Sequence, residues 1–288
     1  MCLRSALSTV PIGSSPRKLL PCDPDHTPIT PPVDASLRPP PSPPSRADLA
    51  AGEVTFAEAA AVQPFANTLV STTLTGQQIK DVLEQQWQSS TTRPFLKLGI
   101  SAGFTYTFDP SVTTAGQRIT QMWLDGVPIS LTATYSVGMN SFLASGGDSF
   151  TAFRGGVGTA DSGKIDLVSM VDWFDEFTTA TPDQKQRAVG VTLPGGTAVS
   201  AGSQVTVNLT SLAFTRGETP AVEVIISTGG VPVATPVAIV STNVGLFDEA
   251  GAASVTFTVP AGISGATVFD ISVPSTGTTS AFTLNVTP

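Results

Sequence analysis

Residues 135–150 read YSVGMNSFLASGGDSF. The first six residues end a predicted strand over about 131–139, and the pattern then breaks into a polar, glycine-rich loop, Ser145-Gly146-Gly147-Asp148-Ser149. Periodicity alone would make Phe142 a core residue. Its neighbours Asn140, Ser141, Gly146, Gly147 and Asp148 are small or polar, however, and line a packed interior poorly. A flat ring beside such a loop, with a carboxylate close by, suits a nucleoside: the ring stacks on the base and the carboxylate accepts hydrogen bonds from sugar hydroxyls.

Upstream of this stretch the pattern is mixed α and β. Thr55 and Glu58 stand three apart at the head of TFAEAAAV, the spacing of a capping box, and Pro64 ends that short helix. Phe65 follows at the junction with a strand predicted over 67–74. Thr75-Gly76-Gln77-Gln78 is a second capping box, opening QQIKDVLEQQW, in which Ile79, Val82, Leu83 and Trp87 share one face. Lys80, Asp81 and Glu84 then fall on the outer face. Further strands are predicted near 97–108 and 118–125, with Asp125-Gly126 as the turn that leads into the 131–139 strand. Arg118, at the start of its strand, reads as structural, and Asp161 as the N-cap of a closing helix that carries Ile165, Val168 and Phe174. The segment reads as an α+β domain over 46–179.

Downstream, short alternating runs recur: SQVTVNLTSL, AVEVIIST, VATPVAIVST, ASVTFTVP, TVFDISVP and SAFTLNVT. Gly, Pro and Asn separate them, and from Val191 onward Arg216 is the only basic residue. Strands punctuated in this way predict an all-β, immunoglobulin-like sandwich over 190–288. Residues 1–45 differ from both regions. They hold half of the 24 prolines and end in RPPPSPPS, the composition of a disordered, proline-rich tail.

Composition limits the chemistry. With 41% apolar and 12% charged residues the chain should mostly fold, and 288 residues suffice for two domains. A net charge of −8 repels a polyanionic backbone, which argues against nucleic acid as a partner. No apolar run is long enough to span a bilayer, and MCLRSALSTVPIG lacks the apolar core of a signal peptide. The lone histidine, His26, and both cysteines, Cys2 and Cys22, sit in the proline-rich stretch. A two-metal phosphatase centre, a Ser-His-Asp triad or a cysteine nucleophile needs more than that. No catalytic residue, metal site or cofactor is therefore expected in this chain.

Three blocks in order, GEVTFAEAAAVQPFANTLV (52–70), LTGQQIKDVLEQ (74–85) and YSVGMNSFLASGGDSF (135–150), resemble the C-terminal domain of the 5'-nucleotidase family. SRADL at 45–49 is similar to the end of that family's NPGG-x-R-ADL segment, with Pro-Pro-Ser in place of the Asn-Pro-Gly-Gly. The resemblance implies an α+β fold of that type and a nucleotide or nucleoside as ligand. It implies that Phe65 and Phe142 sandwich the base, that Asp148 accepts hydrogen bonds from the ribose, and that Arg46 contacts the phosphate. Asn140, Gly146 and Gly147 would shape the pocket. In the family an N-terminal metallophosphoesterase domain, with its divalent metals, performs the hydrolysis. This chain alone is thus expected to be an inactive part of a hydrolase of nucleotide catabolism, working with a separate metal domain or chain. The same resemblance implies an extracellular or cell-wall location. A rival reading makes the chain a cell-surface or adhesion protein whose β-sandwich is the working part and whose nucleotidase-like domain is a relic.

Overall fold

A computed structural model describes residues 2–5, 49, 52–90, 92–181, 183–214, 221–243 and 250–288. In chain order the elements are β1 (Cys2–Ser5), α1 (Phe56–Val62), β2 (Thr68–Thr75), α2 (Gly76–Glu84), β3 (Phe104–Phe108), β4 (Ile119–Leu124) and β5 (Val127–Pro128). They continue with β6 (Thr134–Asn140), α3 (Ser141–Ala144), β7 (Val157–Ile165) and α4 (Asp166–Phe177). The remaining strands are β8 (Ala188–Thr192), β9 (Ala198–Ser200), β10 (Gln204–Thr210), β11 (Glu223–Thr228), β12 (Val231–Pro232) and β13 (Val237–Ala238). The last four are β14 (Val240–Asn243), β15 (Ala250–Thr258), β16 (Gly265–Val273) and β17 (Thr278–Thr287). The chain divides into two compact units, residues 1–104 with 123–181, and residues 105–122 with 182–288.

Unit 1 is built on a four-stranded sheet in the order β1-β6-β2-β7. Strands β2 and β6 are antiparallel over seven pairs, from Leu69↔Asn140 to Thr75↔Thr134. Val70 and Leu74 on β2 and Tyr135, Val137 and Met139 on β6 are buried, the period-two pattern of a sheet with one covered face. Both capping boxes form. Thr55 N donates to Glu58 Oε2 at 2.8 Å while Glu58 N donates to Thr55 Oγ1 at 3.3 Å. Thr75 N donates to Gln78 Oε1 at 2.8 Å and Gln78 N to Thr75 Oγ1 at 3.2 Å. Each box satisfies two main-chain donors that the first helical turn leaves without partners. Ile79, Val82 and Leu83 of α2 are fully buried, and Ala59 and Val62 of α1 pack on Met170 of α4.

Several details differ from the sequence reading. The α2 helix ends at Glu84, and Trp87 pairs instead with Phe95 in an isolated bridge. Glu84 is buried, at 7% exposure, rather than on the outer face. Asp125-Gly126 does make a tight turn, both residues having positive φ (52° and 76°), but it pairs β4 with the two-residue β5. Strand β6 lies in the sheet of unit 1, so the turn is not a hairpin between the two long strands. Asp161 is not an N-cap. It lies inside β7, and Ile165 precedes α4 without a side-chain cap. Strand β7 itself was unforeseen, since its nine residues are exposed on both faces and carry no alternation. Within the proline-rich stretch, Cys2–Ser5 pair antiparallel with β6. The expectation for the rest of that stretch falls outside the described residues.

Unit 2 consists of two sheets around one apolar core. One sheet runs β14-β15-β10-β8-β3-β4, and the other runs β12-β11-β16-β17-β9 with β13 beside β11. The core includes Val207, Val224, Ile226, Val255, Phe269, Ile271 and Leu284, each essentially without exposure. Strand β3 joins this unit by pairing parallel with β8, from Tyr106↔Ala188 to Phe108↔Gly190. The hairpin of 105–122 therefore belongs to the later sheet although it lies early in sequence. Thr192 Oγ1 donates to Asp109 Oδ1 at 2.7 Å and reinforces that pairing.

Candidate functional site

The predicted site residues of unit 1 gather at one end of its sheet. Antiparallel pairing brings the start of β2 beside the end of β6, so the loop carrying Phe65 and the turn carrying Phe142 emerge together. Thr68 N donates to Ser141 Oγ at 3.1 Å, tying the two loops, and Asp166 N donates to the Asn67 carbonyl at 2.8 Å, adding the head of α4. Phe65 is 52% exposed and Phe142 is 45% exposed, so neither ring is core.

The turn after β6 is held by short-range bonds. Asn140 Oδ1 accepts from Leu143 N at 2.8 Å and caps α3, which makes Asn140 the residue that starts the turn. Ser145 Oγ donates to the Phe142 carbonyl at 2.7 Å. Gly146 adopts a left-handed conformation (φ 82°), and a Cβ there would stand 2.5 Å from Arg154 Nε, which donates to the Ser145 carbonyl at 2.7 Å. Gly147 is needed for a different reason. The tip of the Phe142 ring abuts it, so a Cβ would fall 2.5–2.6 Å from Cζ and both Cε atoms. Phe142 therefore presents one edge to a glycine main chain and much of the rest of its surface to solvent.

Asp148 follows in a left-handed conformation (φ 49°, ψ 33°), as does Ser149 (φ 66°). Such conformations cost a non-glycine residue about 1–2 kcal/mol each and persist only where the surroundings impose them. Among the described residues six non-glycine positions have positive φ, and three of them, Ala66, Asp148 and Ser149, lie in the two loops of this sheet end. Buried Phe150 and Phe153, with rings 6.3 Å apart, anchor the far side of the loop. The Asp148 carboxylate is partly exposed and forms a long ion pair, Arg93 Nη1 to Oδ1 at 3.4 Å. Arg93 went unnoticed in the sequence because it lies 55 positions away in a segment without periodicity.

Asp161 adds a second carboxylate near the start of β2. Its Oδ2 accepts from Thr68 Oγ1 at 2.6 Å and its Oδ1 from Gly163 N at 2.8 Å, and these two bonds hold its carboxyl below the usual aspartate value. Arg118 Nη2 donates to the Thr113 carbonyl at 3.0 Å, a structural use. Arg46 lies outside the described residues. Among the described residues no three His, Cys, Asp or Glu side chains cluster as metal ligands do, and no helix is long and apolar enough to cross a membrane. A shallow, open depression of about 430 Å³ in unit 2 is lined by Gly195, Ser200, Gln204, Thr206 and their neighbours. It has no ionisable side chain in its lining, which includes none of the residues above.

Residues 42–155 match the family of 5'-nucleotidase C-terminal domains. The matched span covers both loops of the sheet end. A cell wall protein of Listeria monocytogenes is 36% identical over 135 residues, 46% of this chain and 16% of that one. A 5'-nucleotidase of Vibrio vulnificus is 30% identical over 131 residues, 46% of this chain and 22% of that one. The trifunctional nucleotide phosphoesterase protein of Bacillus subtilis is 34% identical over 155 residues, 52% of this chain and 10% of that one. A 5'-nucleotidase precursor from Thermus thermophilus aligns with a TM-score of 0.44 at 33% identity, covering 50% of this chain and 29% of that structure. The chain thus corresponds to less than a quarter of each of those three relatives. Residues 42–155 are thus similar in sequence to 5'-nucleotidase C-terminal domains, as the three sequence blocks imply.

Proposed function

We propose that residues 46–179 are the nucleotide- or nucleoside-recognition part of a secreted 5'-nucleotidase-type hydrolase, followed by an immunoglobulin-like module over 190–288. The observation that carries this reading is the half-exposed Phe142 ring seated on Gly147 with the Asp148 carboxylate in the same loop. A ring whose tip is fixed against close-packed glycine main chain is preorganised, and its exposed surface is free to meet a flat partner. Phe65 would close over the base from the neighbouring loop, Asp148 would accept hydrogen bonds from the ribose, and Arg46 would meet the phosphate. Asn140, Gly146 and Gly147 would keep the loop in shape. Hydrolysis, with its divalent metals, would belong to a metallophosphoesterase domain outside these residues.

Stacking contributes about 1–3 kcal/mol per ring, offset by the freedom lost on association, so affinity of roughly high-micromolar to millimolar order is expected. The test is a calorimetric titration of adenosine and AMP into the full chain and into a Phe65→Ala/Phe142→Ala variant. Saturable heat that vanishes in the variant supports the assignment. Equal heat from both proteins would sink it.

The likeness to a protein named for the cell wall favours a second reading, in which the chain serves as a surface protein and the sandwich is the working part. Binding of the full chain to isolated cell wall, unaffected by adenosine and by the double phenylalanine variant, would select that reading.

A further inference from the structure

One short stretch of sequence grips the loop that carries Asp148. Gln78 Nε2 donates to the Gly155 carbonyl at 2.8 Å. Gln85 makes two contacts, Nε2 donating to Thr151 Oγ1 at 2.9 Å and Oε1 accepting from Ala152 N at 3.0 Å. Gln88 Nε2 donates to the Asp148 carbonyl at 3.1 Å, and Arg93 Nη1 to its carboxylate at 3.4 Å. Gln78 and Gln85 stand two helical turns apart on one side of α2, so the helix and its exit present a row of amides to the loop. Two of these side chains, Gln88 and Arg93, converge on Asp148, which is both left-handed and charged.

The geometry points to Gln88 and Arg93 as positioning residues of the sugar subsite. Gln88 holds the main chain at Asp148, which otherwise favours a right-handed or extended conformation. Arg93 engages Oδ1 alone and so sets the plane in which the carboxylate meets a ligand. Base stacking on Phe142 does not depend on that plane, whereas a hydrogen bond from a ribose hydroxyl does. The property controlled by the pair is therefore selectivity for ribose over deoxyribose. This rests on the reading of unit 1 as a nucleoside-recognition module.

The experiment uses the full chain, titrated with adenosine and with 2'-deoxyadenosine, as wild type and as Gln88→Ala, Arg93→Ala and Arg93→Lys. Hydrogen exchange of residues 147–155 is followed in parallel. The Arg93 side chain is 45% exposed, so its exchange leaves the core untouched. In the two alanine variants adenosine should weaken about tenfold, the scale of a hydrogen bond to a charged group, while deoxyadenosine stays nearly unchanged. Arg93→Lys should recover part of the selectivity, and Gln88→Ala should speed exchange across 147–155. Equal weakening of both nucleosides would reduce the pair to general support of the fold and overturn the proposal. An unchanged ratio of affinities would do the same. If the wild-type chain binds neither nucleoside, the recognition reading fails and the selectivity claim with it. Unaltered exchange in Gln88→Ala would then remove the clamp as well.

Discussion

In unit 2 the aromatic rings on the core strands β15, β16 and β17 face inward, while Phe214, outside the strands, is 41% exposed. Phe269 lies 5.2 Å from Phe257 and 5.5 Å from Phe282, all three are buried, and strands on either side alternate regularly. In unit 1 two rings, Phe65 and Phe142, stand half in solvent beside three left-handed non-glycine residues. Unit 2 has one such residue among those described, Ser211. Exposed aromatic surface and backbone strain both oppose stability, and a fold retains them together where a ligand can cover the one and profit from the other. The contrast separates a region whose described aromatic stack is closed on itself from one that leaves two rings and a strained loop facing solvent.

That contrast can be tested by substitutions of decreasing effect. Phe269→Ala should cost about 3–5 kcal/mol, since the ring sits at the centre of the stack and leaves a cavity behind. Chemical denaturation measures it, and hydrogen exchange should locate the loss in β16 and β17. An equal loss of protection over 141–149 would break the distinction between the two regions.

Gly147→Ala should cost about 1–3 kcal/mol, because the new methyl must push the Phe142 ring aside. Its sharper consequence is for binding: adenosine affinity should drop about tenfold, the scale of one lost stacking contact. Retained affinity in a folded Gly147→Ala variant would show that the seat of Phe142 on the loop is irrelevant to recognition.

The smallest effect concerns pH. The Glu58 carboxylate accepts from the Thr55 main chain and then from the Thr55 hydroxyl, which holds its carboxyl below the ordinary value of 4.5. A group depressed in the folded state stabilises above its unfolded value and loses that contribution as pH falls through the folded one. The stability difference between the protein and its Glu58→Gln variant should therefore be constant near neutrality and shrink below about pH 4.5. Thermal melts across that range measure it. A difference that grows on acidification would contradict the capping role.

Much of this molecule was legible along the chain. The two capping boxes formed at Thr55 and Thr75 because such a bond pattern closes within four residues. The runs ending in β10, β11, β15, β16 and β17 became strands because alternation is itself the condition for burying one face. Failures were confined to features that depend on distant partners. Strand β7 carries no periodicity, because only its pairing with β2 makes it a strand. Asp161 looked like a cap because local spacing cannot show that Thr68, 93 positions away, supplies its partner.

The sequence by itself settled the two capped helices, the alternating strands of the later sheets and the glycine-rich aromatic loop at 140–149, since these follow from propensity, periodicity and local hydrogen bonding. Only the tertiary structure decided that 105–122 joins the later sheet, that Phe65 and Phe142 emerge at the same sheet end, and that Arg93 reaches Asp148. Each of these rests on a contact between residues far apart in the chain. The energy of such a contact appears only after backbone entropy has been spent to close the intervening loop, and no local pattern encodes it.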